Sequence, residues 1–236
     1  MIVNETFIDS ATLRENVVSL ARNIGYVPRS KRAAKMLVDY SMTGISTSTT
    51  TVTFQPGVIA NGTVSNVNYI FSIPEKVTGT ALDGTAVGSI EMFQGQYLKS
   101  TFVINDSQPN QRFIIPNNGV DTSTIRVGVR ENNSSSTSTE YKLVDNIIGV
   151  TSTSNIYLLQ ETTDEKYEIL FGDGVFGSKL DNGNAVDVSY IKTEGKNGNG
   201  VARVIYSGIL QNQDGATENV STSLIPQYPS EQGDDI

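Results

Sequence analysis

Residues 167–201 read YEILFGDGVFGSKLDNGNAVDVSYIKTEGKNGNGV, and the division of this stretch decides the fold. Tyr167, Ile169 and Phe171 alternate with Glu168 and Leu170, the two-residue period of a strand with one buried side. Residues 185–193 repeat the pattern, with Val186, Val188 and Tyr190 on one face and Asp187, Ser189 and Lys192 among the others. Between them lie Gly172, Asp173, Gly174, Gly177 and the pair Asn182-Gly183. Asn-Gly favours positive φ at two successive residues, so the spacing predicts two strands joined as a hairpin.

Residues 172–177 match G-x-G-x-x-G and follow a strand, as a dinucleotide fingerprint should. That fingerprint requires the glycines to open a helix whose amides receive the pyrophosphate. Asn182-Gly183-Asn184 follows too soon for such a helix, and Asp173 would set a carboxylate beside the phosphates. The stretch reads as a structural turn with no nucleotide. GKNGNG at 195–200 has phosphate-loop glycines without the Gly-Lys-Ser/Thr ending or a following helix. Gly198 and Gly200 therefore also read as turn residues.

Composition narrows the chemistry. The chain has 236 residues, enough to bury a substantial core, and a formal net charge of −8. An acidic surface repels phosphate backbones, which argues against nucleic acid as a partner. Cys, His and Trp are all absent, so disulfides, Cys/His zinc sites, imidazole bases and cysteine nucleophiles are excluded. No apolar run reaches the length of a membrane-spanning helix, and Met1-Ile2-Val3-Asn4-Glu5 lacks the pattern of a secretory signal. Asp173, Asp181 and Asp187 miss the EF-hand register, with Lys192 in the twelfth position. Glu161, Asp164, Glu165 and Glu168 form a carboxylate-rich strand end rather than a paired acid and base. These features point to a protein that is not an enzyme and carries no cofactor, metal or small-molecule ligand.

Upstream, residues 9–25 have the spacing of an amphipathic helix. Thr12 and Glu15 suit a capping box, Leu13, Val17, Leu20 and Ile24 share one face, and Gly25 with Pro28 ends it. That apolar face makes these four residues interface candidates, toward the chain's own sheet or toward another subunit. Arg29, Lys31, Arg32 and Lys35 form a basic cluster read as a solvated turn. Met36, Val38, Tyr40 and Met42 then alternate into a strand, as do Tyr69, Phe71 and Ile73, and later Ile125, Val127 and Val129. Residues 132–139, NNSSSTST, read as a mobile polar loop. The expected fold is mainly β (α+β): an antiparallel or mixed β domain with one N-terminal amphipathic helix. The expected division is a helix and turn over 1–34, a β-rich core over 35–210, and a polar linker over 211–236 leading to a C-terminal domain absent from this chain.

Taken in order, Phe171-Gly172-Asp173-Gly174, the Gly177…Leu180…Gly183 spacing, Val188-Ser189-Tyr190 and Gly195…Gly198-Asn199-Gly200 resemble a signature of phage baseplate wedge proteins. These are the large wedge subunits of contractile tails and the related baseplate J-like group. Leu13-Arg14-Glu15-Asn16-Val17-Val18, the turn from Gly25 to Ala34, and the closing Gly233-Asp234-Asp235 are similar to the flanks of the same region. The resemblance covers the middle β-rich region of a full-length member. It implies a structural subunit of the virion, assembled in the host cytoplasm, that pairs with copies of itself and with other wedge subunits. Such proteins link wedges into a ring and take part in the rearrangement that triggers sheath contraction. The alternative from a different class is a carbohydrate-binding or adhesin-like β module of a phage tail.

Overall fold

The structure is a computed structural model that describes residues 30–108, 110–144, 148–162 and 165–235. The helix expected at 9–25, with Leu13, Val17, Leu20 and Ile24, lies outside the described residues. The described chain is built of strands. They are β1 (Lys35–Thr43), β2 (Thr51–Phe54), β3 (Gly57–Val64), β4 (Val67–Ile73), β5 (Val77–Leu82), β6 (Thr85–Gln94), β7 (Gln96–Val103) and β8 (Phe113–Ile114). There follow β9 (Val120–Arg130), β10 (Ser138–Leu143), β11 (Ile156–Glu161), β12 (Tyr167–Phe171), β13 (Ala185–Lys192), β14 (Val204–Tyr206), β15 (Leu210–Asn212) and β16 (Ser221–Pro226).

A nine-stranded sheet runs β14-β3-β4-β6-β5-β2-β15, with β1 paired to both β6 and β16. A seven-stranded sheet runs β7-β13-β9-β10-β11-β12-β8. The β10–β11 pair is parallel while the pairs around it are antiparallel, so this second sheet is mixed. The chain divides into two compact units rather than one core domain over 35–210. One takes residues 1–30, 99–118 and 126–188; the other takes 31–98, 119–125 and 189–236.

In the second unit β1 sets the pattern. Met36, Val38, Tyr40 and Met42 are buried, as their alternation requires, and Leu37, Asp39, Ser41 and Thr43 occupy the opposite face. They join Val52, Phe54, Ile59, Phe71, Ile73, Ile90 and Met92 in one apolar core. Each such side chain contributes roughly 1.5–3 kcal/mol by leaving water. Tyr40 meets Phe54 edge to face at 5.0 Å, and Phe54 meets Tyr206 at 6.0 Å. The Tyr40 ring fills space that two glycines vacate. A Cβ on Gly88 would lie 2.7 Å from Tyr40 Cζ, and one on Gly79 would collide with the hydroxyl.

Two hairpins close with two-residue turns at positive φ. Ser65 and Asn66 (φ 51° and 63°) join β3 to β4, and Asp83 and Gly84 (48° and 77°) join β5 to β6. The stretch 211–236, expected as a polar linker, supplies β16 along β1 from Val38↔Pro226 to Thr43↔Ser221. Strand pairing here is carried by the backbone. Apart from buried Leu224, the outward side chains of β16 stay polar or exposed, which hides the strand from a hydrophobic reading.

The glycine-rich connection does not close a hairpin. β12 pairs with β11 and β8, β13 joins β7 and β9, and three strands of the same sheet separate the two. The thirteen residues between Phe171 and Ala185 are spent in two separate reversals, so neither turn returns β13 onto β12.

The fit of Tyr40 over its glycines gives a direct test. Gly88→Val should destabilise the chain by roughly 1–3 kcal/mol through overpacking against a buried ring. Combining it with Tyr40→Ala should recover much of that loss. Denaturant unfolding of the four variants of the cycle measures the coupling, and additive effects would refute the packing account.

Candidate functional site

Three constellations concentrate the polar chemistry of the described residues, and the first is the glycine-rich connection itself. Asp173 Oδ1 accepts hydrogen bonds from the amides of Phe176 (2.9 Å) and Val175 (2.8 Å). Those two amides hold its carboxyl below the ordinary range, Phe176 contributing most. Gly174 and Gly177 take positive φ (89° and 84°), and the Gly174 amide donates to the Gly177 carbonyl at 3.0 Å. Gly172 has an ordinary φ, and its requirement is space: a Cβ there would run into the Gly177 backbone. Gly177 and Ser178 donate to the Thr151 and Ser154 carbonyls, fastening the loop to the residues ahead of β11. Val175 and Phe176 stand out from the tip, 66% and 51% exposed.

The second reversal centres on Asn182-Gly183. Only Gly183 takes positive φ (87°), and the Asn184 amide closes the turn onto the Asp181 carbonyl at 3.1 Å. Asn182 Oδ1 accepts from the Asp106 amide, and the Gly183 amide donates to the Ile104 carbonyl. The pair thus seats the start of β13 against the segment after β7. Both reversals border an open groove of about 600 Å³. Ile104, Phe113, Phe171 and Leu180 line it, with Asn105, Asp106 and Lys179 supplying its polar atoms. At one side Arg112 grips buried Glu168 through two bonds of 2.8 and 2.6 Å, so this carboxylate is neutralised.

Asp187 on β13 is the strongest electrostatic centre. It accepts from Arg130 Nε (2.8 Å) and Nη2 (3.2 Å), from Thr101 Oγ1 (2.6 Å) and from Lys99 Nζ (3.1 Å). Burial works to raise its pKa; the bonds from Arg130, Thr101 and Lys99 and the Lys99 charge overcome this and bring it to about 2. Arg130 also donates to the carbonyls of Asn133 (2.7 Å) and Ser135 (3.0 Å). The polar loop read as mobile is exposed, but it is tied through this guanidinium into the sheet.

The third constellation surrounds Gly198 and Gly200. Residues Gly195–Gly198 make one 3-10 turn, and residues 230–235 fold across it. Ser230 Oγ donates to the Gly198 carbonyl (2.6 Å) and accepts from the Val201 amide (2.8 Å). The Gly200 amide donates to the Ser230 carbonyl at 2.7 Å, and Gly200 takes φ of 90°. Asn199 and Gly233 exchange two hydrogen bonds, each 2.9 Å. On the other side Arg32 pairs with Asp234 and Lys35 with Glu231, each through two backbone bonds. Asp235 faces Lys31 (3.4 Å) and Lys196 (3.3 Å), so part of the basic cluster is spent on this clasp. A Cβ on Gly198 would press on the buried Gln94 side chain, and one on Gly195 would meet Asp235.

Sequence reading found the glycines and missed their partners. Asp187, Arg130, Asp121 and Ser230 act over separations that local pattern cannot reach. Asp121 Oδ2, for instance, accepts from the Ala33 amide 88 residues away. Among the described residues, no cluster of three or more Asp or Glu could hold a metal ion, and no helix is long and apolar enough to cross a membrane.

Residues 87–200 match the family described as the third domain of the bacteriophage baseplate wedge protein gp6. The chain is 25% identical, over 231 residues, to the baseplate wedge protein gp6 of Enterobacteria phage T4. The match covers 89% of this chain and 33% of that relative, so the chain spans about a third of the relative's length.

Two predictions follow from these sites. Asp187→Asn should destabilise the chain at neutral pH, because Arg130 loses its counter-charge and keeps only carbonyl partners. The native pKa lies below the ordinary 3.8, so the stabilisation is present above pH 4 and is lost as pH falls through 2. The difference in unfolding free energy between wild type and variant should therefore shrink between pH 4 and pH 2. Gly195→Ala, at φ of 66° against Asp235, should cost roughly 1–3 kcal/mol. Gly215→Ala, at φ of 78° with open space, should cost only the backbone strain, about 1 kcal/mol. Equal thermal shifts in these two variants would show that the clasp carries no weight.

Proposed function

We propose that this chain, which belongs with the bacteriophage baseplate wedge proteins, is a structural subunit of a contractile-tail baseplate and works through its interfaces. The match of residues 87–200 to a wedge-protein domain carries this reading. The architecture is consistent with it. Within the first unit the carboxylates are internally satisfied: Glu168 is spent on Arg112, Asp187 on Arg130 and Lys99, and Asp173 on its own loop. None of these carboxylates is placed as a general acid or base, which favours a role without catalysis.

The finer role is assembly. The chain takes its place in the virion tail beside other wedge subunits, joins neighbouring wedges into the ring with copies of itself, and shifts with them when the sheath contracts. Leu13, Val17, Leu20 and Ile24, the apolar residues that recur at helical spacing in the sequence, are the candidates for one such contact. No small-molecule ligand, nucleic acid or membrane insertion belongs to this role.

Depletion of the chain during infection tests the proposal. Electron microscopy should then show a loss of assembled baseplates and of sheathed tails, and purified wild-type tails should contain the chain in fixed stoichiometry. Normal tails without it would overturn the reading. Saturable retention of host-surface glycans by the purified chain, with tails assembling normally in its absence, would favour the adhesin-like alternative.

A further inference from the structure

The outer face of the β16–β1–β6 ribbon is unusual for the surface of an acidic chain. Asp39 on β1 stands directly opposite Ile225 on β16 and Ser89 on β6. One step along, Ser41 stands opposite Ser223 and Val87; the next row is Thr43, Ser221 and Thr85. Direct and diagonal neighbours across paired strands lie within side-chain reach, so these residues form one continuous face. Val87 is 71% exposed and Ile225 60% exposed, flanking a shallow groove of about 350 Å³ that Asp39 also lines. Short hydroxyl side chains fill the face on one side of Asp39; on the other, Leu37 stands opposite exposed Glu91, which pairs with Lys35 at 3.1 Å. Flat strand surfaces in water ordinarily carry long charged side chains that discourage casual docking, and around Asp39 this one carries two bare aliphatic groups instead.

That carboxylate is preset. Ser89 Oγ (2.6 Å) and Gln227 Nε2 (2.9 Å) both donate to Asp39 Oδ1, and Oδ2 receives no hydrogen bond from the described residues. Ser89 first and Gln227 second hold the group below the ordinary carboxylate pKa, so it is an anion at neutral pH. Its orientation is fixed by neutral donors, and among the described residues no cation pairs with it.

We propose that this face docks a basic segment of a neighbouring tail subunit, whose Lys or Arg side chain reaches Asp39 Oδ2 while its aliphatic stem lies between Val87 and Ile225. Charge decides the occupant. A cation with an apolar stem matches an oriented anion between two aliphatic groups, and arginine adds a forked donor that a carboxylate can accept. The net charge of −8 attracts a basic partner and opposes a second acidic copy at low salt. The hydroxyls on one side form a neutral rim, and the Glu91 carboxylate on the other is already paired with Lys35. This inference rests on the reading of the chain as a tail subunit and names what that reading leaves open: which surface is used and what chemistry meets it.

A photo-crosslinking residue at Ser223, with exposed Asp214 as the control position, tests it in tails assembled during infection. Irradiation should couple position 223, and not 214, to a different tail protein within a few residues of a Lys or Arg. Asp39→Asn should lower the crosslink yield at least about five-fold, Asp39→Lys should abolish it, and Asp39→Glu should retain most of it. Melting temperatures of the purified variants should agree within about 2 °C, since Asp39 is exposed. Undiminished crosslinking in Asp39→Asn, a target peptide without a cation, or coupling to a second copy of this chain would overturn the proposal. Tails that contain the chain but yield no crosslink at 223 would overturn it and leave the structural role intact. Absence of the wild-type chain from purified tails would instead overturn the structural role, and this proposal with it.

Discussion

The clasp between residues 30–35 and 230–235 is the constraint on which the second unit depends. Arg32 with Asp234 and Lys35 with Glu231 bring together backbone separated by about 200 residues, a closure whose entropy grows only slowly with length. Once made, it sets β16 in register on β1, so β1 gains a neighbour on each side and its inward side chains have a closed core to fill. Gly195 serves this closure by leaving room for Asp234 and Asp235, Gly198 by leaving room for the Gln94 side chain, and Gly200 by taking a φ of 90°. Ser230, fully bonded beneath the turn, joins it to Gly198, Gly200 and Val201 in one network.

The first unit solves a different problem. Its sheet must hold β12 at one end and β13 near the other while the chain between them runs through thirteen residues with little apolar content. Each end of that connection is anchored by a short side chain acting on backbone, Asp173 at one turn and Asn182 with Asn184 at the other. An edge-to-face series from Phe102 through Phe113 and Phe171 to Tyr141 links the strands around the groove, with centroids 5.6 to 5.8 Å apart. Asp187 ties three strands through Arg130, Lys99 and Thr101, and its partners shield it from water. Polar groups buried in this way rigidify a sheet only when every one is paired, and this network meets that condition.

Both devices suit the structural role proposed above. Internal charges are spent on one another, and the available chemistry lies outward, on the face around Asp39 and at the apolar tip of Val175 and Phe176. Rigid elements present such surfaces more reproducibly than loops do, which matters where one subunit must meet several neighbours in a fixed geometry.

The sequence by itself determined the strand content and the buried faces. Alternation of Met36, Val38, Tyr40 and Met42, or of Ile125, Val127 and Val129, is a local property, and burial follows it residue by residue. It also carried the resemblance to the wedge proteins, through the ordered series of glycines from 172 to 200, within the residues 87–200 that match a wedge-protein domain. Tertiary structure alone decided which strands are neighbours. The glycine-rich turns looked like one hairpin because Asn-Gly is a local signal, yet β12 and β13 took partners distant in sequence and left three strands between them. The tail looked like a linker because its stabilisation lies in backbone pairing and in Ser230, neither of which has a periodic signature. Asp187 and Arg130, 57 residues apart, looked like ordinary surface charges. Pairing across a sheet is a contest among all edges at once, and no window of sequence contains the competitors.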